Sequence, residues 1–293
     1  MGELDPAATV LTPELAVLPG HLIWRASAKV TAALAETLPP GVDIHAYAAL
    51  LALAAGQARS QQWLADTVAV SRTTMAKVVA ALVDQGLVER VRNESDRRSY
   101  LLTRTAEGAV AARHWRRHAE DLEEAVTAGF STSDREELRR LLLGVARPGL
   151  SPETPDALLD SIGFLVTRIH QRMYADMSAA LDDLHIEPRH MGSLVALGAG
   201  GPMSQATLAR RLGISGPSVV ELVDHLEEHG LVERRRLDTD RRSQMLHVLP
   251  RAADVVPDAM TRGQAVTDEL LAVLSATARQ RLVRLLRRFV TGE

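Results

Sequence analysis

The chain contains no cysteine. That removes disulfide scaffolds, thiolate metal sites and thiol-based redox sensing at once. Aromatic residues are scarce, at 3%, so any core must be built from aliphatic side chains. Lysine is almost missing: Lys29 and Lys77 are the only two, and the other 32 of 34 basic residues are arginine. Long apolar runs are absent as well. The longest, Ala46 to Ala55, is about half of the ~20 residues that a membrane span needs. The N-terminal segment has no basic stretch ahead of an apolar one, so no secretory signal is expected and the expected compartment is the cytoplasm. A net charge of -3 gives no overall excess of positive charge of the kind that marks many nucleic-acid binders.

What remains is an ordinary globular composition, 46% hydrophobic and 24% charged. At roughly 100–200 residues per domain, 293 residues predict about two domains. Self-similarity decides how they are arranged. Gly86–Ser99, GLVERVRNESDRRS, returns as Gly230–Ser243, GLVERRRLDTDRRS, at an offset of 144 that holds upstream without a gap. Gln61 matches Gln205, Leu64-Ala65 matches Leu208-Ala209, Ser71 matches Ser215 and Leu82 matches Leu226. Across 61–100 and 205–244, 16 of 40 positions are identical. Solenoid repeats recur every ~20–50 residues, so this longer period is a domain duplication. The expected division is a first domain over 1–147, a Pro- and Gly-bearing linker over 148–155, and a second domain over 156–293.

Periodicity and caps predict the same element order in each copy. In the first, a helix is expected over Pro13–Leu38, stopped by Pro39-Pro40-Gly41, then an apolar helix over Ile44–Ala55. A short helix over Ser60–Val68 and a second, capped by Ser71 and stopped at Gly86, follow. Short strands over Leu87–Arg92 and Ser99–Leu102 flank the polar turn Asn93-Glu94-Ser95-Asp96. Helices over Thr105–Ala128 and Ser133–Val145 complete the copy, the last with Ser133 and Glu136 as a capping box. The second copy is expected to have helices over 155–184, 188–197, 204–212 and 216–229, a turn at Gly198–Pro202, a hairpin over 231–248 and two final helices.

Two short helices joined by a tight turn form a helix-turn-helix, whose second helix can enter the major groove. The hairpin behind it carries Arg90, Arg92, Arg97 and Arg98, and five arginines between 90 and 104 against Glu94 and Asp96. Such a wing can lay guanidinium groups along phosphates or into a narrow minor groove. These residues carry a resemblance. The run Leu64–Gly108, with S-x-x-T/S, L-V-D-Q-G-L-V-E-R, D-R-R-S and L-T-R-T-A-E-G, resembles the MarR family of winged-helix transcription regulators. The resemblance implies a mainly α fold with two winged helix-turn-helix domains on a shared helical dimerisation core. It implies binding to pseudo-palindromic operators, usually in repression, with release on binding a small aromatic or lipophilic ligand. Members are usually intertwined homodimers, so one chain carrying two copies implies an intramolecular pseudo-dimer, acting as a monomer or pairing again as a homodimer. A linker of this length, reaching at most about 30 Å, suits that arrangement. The second copy departs from the family pattern at His247-Val248-Leu249-Pro250, where L-T-x-x-G is expected.

The residues expected on double-stranded DNA are Ser71, Arg72, Thr73, Thr74 and Lys77 at the start of the first recognition helix, with Arg92, Arg97 and Arg98 on its wing. Their counterparts are Ser215, Pro217, Ser218, Arg236, Arg241 and Arg242. Gly216 stands where Arg72 is, and Glu221 where Lys77 is, so the two copies are expected to read DNA differently. Asp96 and Asp240 precede the wing arginine pairs and can hold one guanidinium in a fixed fork. On the resemblance, His21, Trp24, Arg25, Tyr47 and Trp115, and in the second copy Arg168, His170, Tyr174 and His190, line the crevice where an effector binds; ordinary core packing explains them equally well.

Three further patterns point to chemistry and are set aside. His225-Leu226-Glu227-Glu228-His229 matches the inverted zinc-protease motif H-x-x-E-H, but its counterpart, Ala81 to Gln85, holds no comparable ligand set. His114 and His118, one helical turn apart, read as a solvated face before they read as a metal clamp. Gly198-Ala199-Gly200-Gly201 lacks the strand and the Lys-Ser/Thr of a phosphate loop. No catalytic residue, metal or cofactor is expected, and neither an enzyme nor a membrane partner.

Overall fold

A computed structural model describes residues 11, 13–39, 42–94, 96, 99–237 and 240–292, with the side chains at 55, 237 and 240–243 outside that set. The elements run α1 (Pro13–Ala16), α2 (Pro19–Thr37), α3 (Ile44–Ala52), α4 (Gln61–Val68), α5 (Arg72–Asp84), β1 (Val88–Arg92), β2 (Tyr100–Arg104), α6 (Ala106–Val126) and α7 (Thr132–Ala146). They continue with α8 (Asp156–Leu159), α9 (Ile162–Leu181), α10 (Pro188–Gly200), α11 (Gln205–Leu212), α12 (Gly216–Glu228), β3 (Val232–Leu237), β4 (Asp240–Val248), α13 (Pro250–Leu270) and α14 (Ala276–Thr291). The fold is mainly α, with a winged helix-turn-helix in each half. Two compact units exist: residues 33–168, and residues 1–32 together with 169–293. Their boundaries fall inside α2 and α9, so each unit combines most of one sequence copy with the opening helical segment of the other.

In the unit 33–168, α5 buries Met75, Val78, Val79 and Leu82, the spacing that puts side chains on one helical face. They pack with Leu50, Leu53, Leu64, Val68, Val88, Leu102, Tyr47 and Trp115. Leu158 of α8 belongs to this core, and Phe164 of α9 packs against it. β1 and β2 pair antiparallel, with Arg90 opposite Leu102 and Arg92 opposite Tyr100. Arg59 adds a bridge to Leu102. The wing exit explains the T-x-x-G part of the pattern, Thr105 to Gly108, physically. Thr105 Oγ1 accepts the Gly108 N–H at 2.9 Å and donates to the Gly86 carbonyl at 2.8 Å. A Cβ on Gly108 would lie 2.0 Å from the Leu87 carbonyl oxygen, so only glycine lets α6 start that close to the hairpin. The linker is not a bare tether. Thr154 Oγ1 donates to the Thr67 carbonyl at 3.1 Å, and Glu153 accepts from Arg59 at 2.8 Å and from Trp63 Nε1 at 2.5 Å.

In the other unit, α12 buries Val219, Leu222, Val223 and Leu226 against Leu194, Leu197, Leu208, Leu212, Leu231 and Leu246. Leu15 of α1, fully buried, joins this core although it lies in the first sequence copy. Lys29 of α2 donates to the Phe289 carbonyl of α14 at 2.6 Å. Here the wing exit is built differently: Leu249 takes the N-cap position without a side-chain bond, Pro250 occupies the first helical turn, and buried Ala252 stands where Gly108 is in the first copy. The departure at His247–Pro250 is therefore accommodated by a proline start.

Several sequence expectations need correction. The first helix breaks at Val17-Leu18, and Pro19 opens α2. The helix expected over 155–184 breaks between α8 and α9, where the Glu123 carboxylate accepts the Ile162 and Gly163 N–H groups at 3.0 Å each. The cap of α7 is Ser131, not Ser133: its Oγ accepts the Asp134 N–H at 3.1 Å, and Glu136 is instead paired with Arg139. The turn expected at Gly198–Pro202 starts later, because α10 runs on to Gly200 and ends at Gly201 with φ 68°.

Candidate nucleic-acid interface

Both recognition helices start from the same device. Ser71 adopts extended backbone geometry and its Oγ accepts the Thr74 N–H at 3.0 Å; Ser215 does the same for Ser218 at 3.4 Å. The hydroxyls of Ser71 and Thr74 lie 2.8 Å apart, and those of Ser215 and Ser218 2.9 Å apart. These four side chains are therefore engaged in capping, and Arg72, Thr73 and Lys77 are left exposed on the first helix. Pro217 is exposed in the first turn of α12, where a missing N–H breaks no helical bond.

The charges differ more than the backbones. Residues 72–92 carry four basic and two acidic side chains; residues 216–236 carry three basic and five acidic. No ion pair among the described residues engages Arg72, Lys77, Arg90 or Arg92, and Arg90 and Arg92 are exposed. On the second surface two of the three cations of β3 are already paired. Glu221 is paired with Arg189 of α10 at 3.3 Å. Arg234, the counterpart of Arg90, is held by Asp224 at 2.6 Å and by Glu227, and its own N–H donates to Glu227 at 2.7 Å. Arg235 is paired with Glu233. Arg236 remains exposed. Arg97 and Arg98 lie outside the described residues; Arg241 and Arg242 lie in β4 with their side chains outside them.

The helix-turn-helix turns reveal a function for two arginines that the sequence placed elsewhere. Ala69, with φ 54°, makes the turn between α4 and α5, and Gly213, with φ 70°, the equivalent turn between α11 and α12. In the unit 33–168, buried Arg168 donates to the Ala69 carbonyl. In the other unit, buried Arg25 donates to the Leu212 carbonyl at 3.1 Å. Each guanidinium satisfies a carbonyl at the end of the first helix of a helix-turn-helix, where intrahelical partners run out. Burial lowers both pKa values, that of Arg168 to about 10. The tight spot at Gly213 follows: a Cβ there would lie 2.3 Å from an Arg25 nitrogen. No local sequence signal marks these bonds, because the partners are 187 and 99 residues apart.

The other residues expected in an effector crevice divide between the units. Tyr47 and Trp115 belong to the core of 33–168. His21, Trp24, Arg25, His170, Tyr174 and His190 belong to the other unit. There the rings of His21 and Trp24 lie 5.5 Å apart, and those of His170 and Tyr174 6.0 Å apart. Burial, with Arg25 nearby, pushes His21 down to about 3; burial alone pushes His170 down to about 4. Burial first, then the neighbouring His225 and Arg189, holds His190 at about 3. Tyr174 donates to Glu187 at 3.3 Å, and His190 Nδ1 accepts the Glu187 N–H at 2.9 Å.

A family model for MarR matches residues 41–99 and again residues 186–243, each spanning one helix-turn-helix and wing. Among solved structures, a probable transcriptional regulator from Pseudomonas aeruginosa is 26% identical with a TM-score of 0.42, over 44% of this chain and 96% of its own. CouR from Rhodococcus jostii RHA1, bound to p-coumaroyl-CoA, is 26% identical with a TM-score of 0.42, over 46% and 96%. A MarR variant from E. coli, complexed with operator DNA, is 21% identical with a TM-score of 0.41, over 43% and 91%. Among the described residues, no helix is long and apolar enough to cross a membrane.

Proposed function

We propose that the chain regulates transcription by binding duplex DNA as a single unit over two half-sites of an imperfect palindrome, in the manner of a ligand-responsive repressor. The observation that carries the reading is the uncommitted basic surface of α5 and β1: exposed Arg72, Lys77, Arg90 and Arg92 on a capped recognition helix and wing. Free guanidinium and ammonium groups release condensed counterions on meeting phosphate, and Arg72 can donate to a guanine edge. The exchange of first helices supports the single-chain part, since Leu15 and Arg25 complete one helix-turn-helix and Phe164 and Arg168 the other. Removing one copy would leave the other without them. Within the unit of residues 1–32 and 169–293, a small aromatic or lipophilic effector is assigned to the region of His21, Trp24, His170, Tyr174 and His190, beside the Arg25 that holds the Leu212 carbonyl; within 33–168, Tyr47 and Trp115 are the corresponding candidates.

A second reading has its own observation. The acid-paired surface of the second copy, with Glu221 on Arg189 and Arg234 on Asp224 and Glu227, favours a domain that positions the chain or binds a ligand and contributes little to sequence recognition.

Selection of bound sequences from a random duplex pool tests both. The expected site has two unequal half-sites, and light scattering of the free protein should give a mass near 31.8 kDa or twice that. Replacing Arg97 and Arg98 by alanine should weaken binding and flatten its salt dependence by roughly one unit of slope for each phosphate that is no longer neutralised. An unselective pool, or affinity and slope unchanged by both the Arg97/Arg98 and the Arg72/Lys77 replacements, contradicts the proposal.

A further inference from the structure

By sequence alone the H-x-x-E-H run of α12 reads as a chance match, because the first copy lacks it. The tertiary structure supplies what the run alone does not. His225 and His229 are one helical turn apart and share a face. Their rings stack at 4.3 Å. The ligand atoms of His225, Glu228 and His229 all lie within 4.8 Å of one another. A tetrahedral ion with bonds of about 2.0–2.1 Å sets its ligand atoms about 3.3 Å apart, within reach of side-chain rotation.

Hydrogen bonding fixes the protonation that ligation requires. His229 Nδ1 lies 2.9 Å from the His225 carbonyl oxygen. A carbonyl only accepts, so Nδ1 carries the proton and Nε2 presents its lone pair. This is the arrangement that orients metal-binding histidines, the ring N–H donating to a backbone carbonyl. Neither the Glu228 carboxylate nor a ring nitrogen of His225 is engaged in a hydrogen bond or ion pair among the described residues. A neighbouring group, Glu187, His190 and His225, is equally close-set, but its chemistry differs. His190 Nδ1 accepts the Glu187 N–H, which leaves the proton on Nε2 and no lone pair there. Glu187 is already held by Arg189 at 2.9 Å. His190 instead stacks on the far face of the set, its ring 4.3 Å from that of His225.

We propose that His225, Glu228 and His229 form a site for one divalent late first-row transition ion of the zinc class, at the C-terminal end of the second recognition helix. Two imidazoles and a carboxylate are the donor set of such ions, with water completing the shell. The position is favourable in itself, since the carbonyl end of a helix carries partial negative charge. The site is not repeated in the first copy, whose α5 ends Ala81-Leu82-Val83-Asp84-Gln85. It is a property of one half of the molecule.

The test uses the full chain freed of metal by chelation. Titration with Co2+ should develop a ligand-field band that saturates at one ion per chain, and Zn2+ should displace it. His225→Ala and His229→Ala should each weaken uptake by more than about tenfold, as removal of one bond from a three-ligand set demands; Glu228→Gln should weaken it less. His114→Ala, which removes one member of the His114–His118 pair on α6, should leave it unchanged. Should either histidine variant fail to fold, Zn2+ protection of the wild type against diethyl pyrocarbonate gives the answer peptide by peptide. His225 and His229 should be shielded, and His114 and His118 modified regardless. No saturable uptake, uptake untouched by both histidine variants, or absence of protection at His225 and His229 overturns the assignment.

Discussion

The first and second recognition surfaces share a backbone plan and differ in what their charges are doing. Both helices are capped by a serine, both stand on four buried aliphatic residues, and both lead into a two-stranded wing. On the first, Arg72, Lys77, Arg90 and Arg92 face solvent without an ion-pair partner among the described residues. On the second, charges are paired off within the protein and Arg236 alone of the β3 arginines is left: Arg189 pairs with Glu221, Asp224 and Glu227 hold Arg234, and Glu233 holds Arg235. A duplicated fold therefore keeps its apolar positions while its surface is free to diverge. Changing a buried leucine costs a few kcal/mol through the cavity it leaves, whereas an exposed charge swap costs little.

The comparison can be broken first at the level of the units. Residues 1–32 with 169–293 bury His21 and His170, whose folded pKa values of about 3 and about 4 lie below the ordinary 6.5. Between those values and 6.5 the unfolded chain binds more protons than the folded one, so stability falls as pH is lowered through that window and is level above it. Each group contributes up to about 1.4 kcal/mol per pH unit there. His21 faces Arg25, and His170 faces the Tyr174 ring, so neither has an acidic partner to reverse the sign. The unit 33–168 holds one histidine that burial lowers, His45, against His21, His170 and His190 here, so acidification from pH 7 to 4.5 should open this unit before 33–168, seen as earlier amide exchange in α10–α12 than in α4–α6. Simultaneous exchange, or exchange earlier in α4–α6, would show that burial of these histidines does not set the order.

A sharper comparison concerns DNA. Palindromes made by duplicating each half of the selected site should differ, with the half read by the first copy binding more tightly. Mismatches in that half should cost on the order of 1–3 kcal/mol each, and less in the other. Equal affinity for the two palindromes would show that the second copy reads bases as fully as the first. Restoring a cation should narrow the gap: Glu221→Lys puts a cation where the first copy has Lys77 and, if the proposed interface holds, should steepen the salt dependence on the second palindrome by about one unit. It also leaves Arg189 without that partner, so an unchanged slope would place position 221 away from phosphate.

The smallest expected difference lies in the caps. Ser71→Ala should cost about 1 kcal/mol of stability, the usual value of such a bond. Ser215→Ala should cost less, since its bond is longer, 3.4 against 3.0 Å, and Pro217 already pre-sets the first turn of α12. Thermal denaturation of the two variants gives the order directly; a larger effect at Ser215 would reverse it.

Much of this is legible in the chain of residues. Ser71 and Ser215 are local caps, bonded three residues ahead, and the apolar spacing of α5 and α12 is a property of a few helical turns. Such features survive in any environment that lets the helix form, so the repeat, the two helix-turn-helix units and their wings follow from the sequence alone. The cap of α7 is misread in sequence, where Ser133 with Glu136 fits a capping box, and only the chain path into the helix chooses Ser131. Other features have no local signal. Arg25 and Arg168 read as residues of an effector crevice, yet each spends its guanidinium on a turn carbonyl far along the chain. Glu221 reads as a bare carboxylate in the place of Lys77, but Arg189, 32 residues away, pairs with it. His229 becomes a poised ligand only once its ring meets the His225 carbonyl. Periodicity and capping act over three or four residues and are written into the sequence. Which helix completes which core, and which charge finds a partner, depends on groups brought together by packing, and that only the tertiary structure decides.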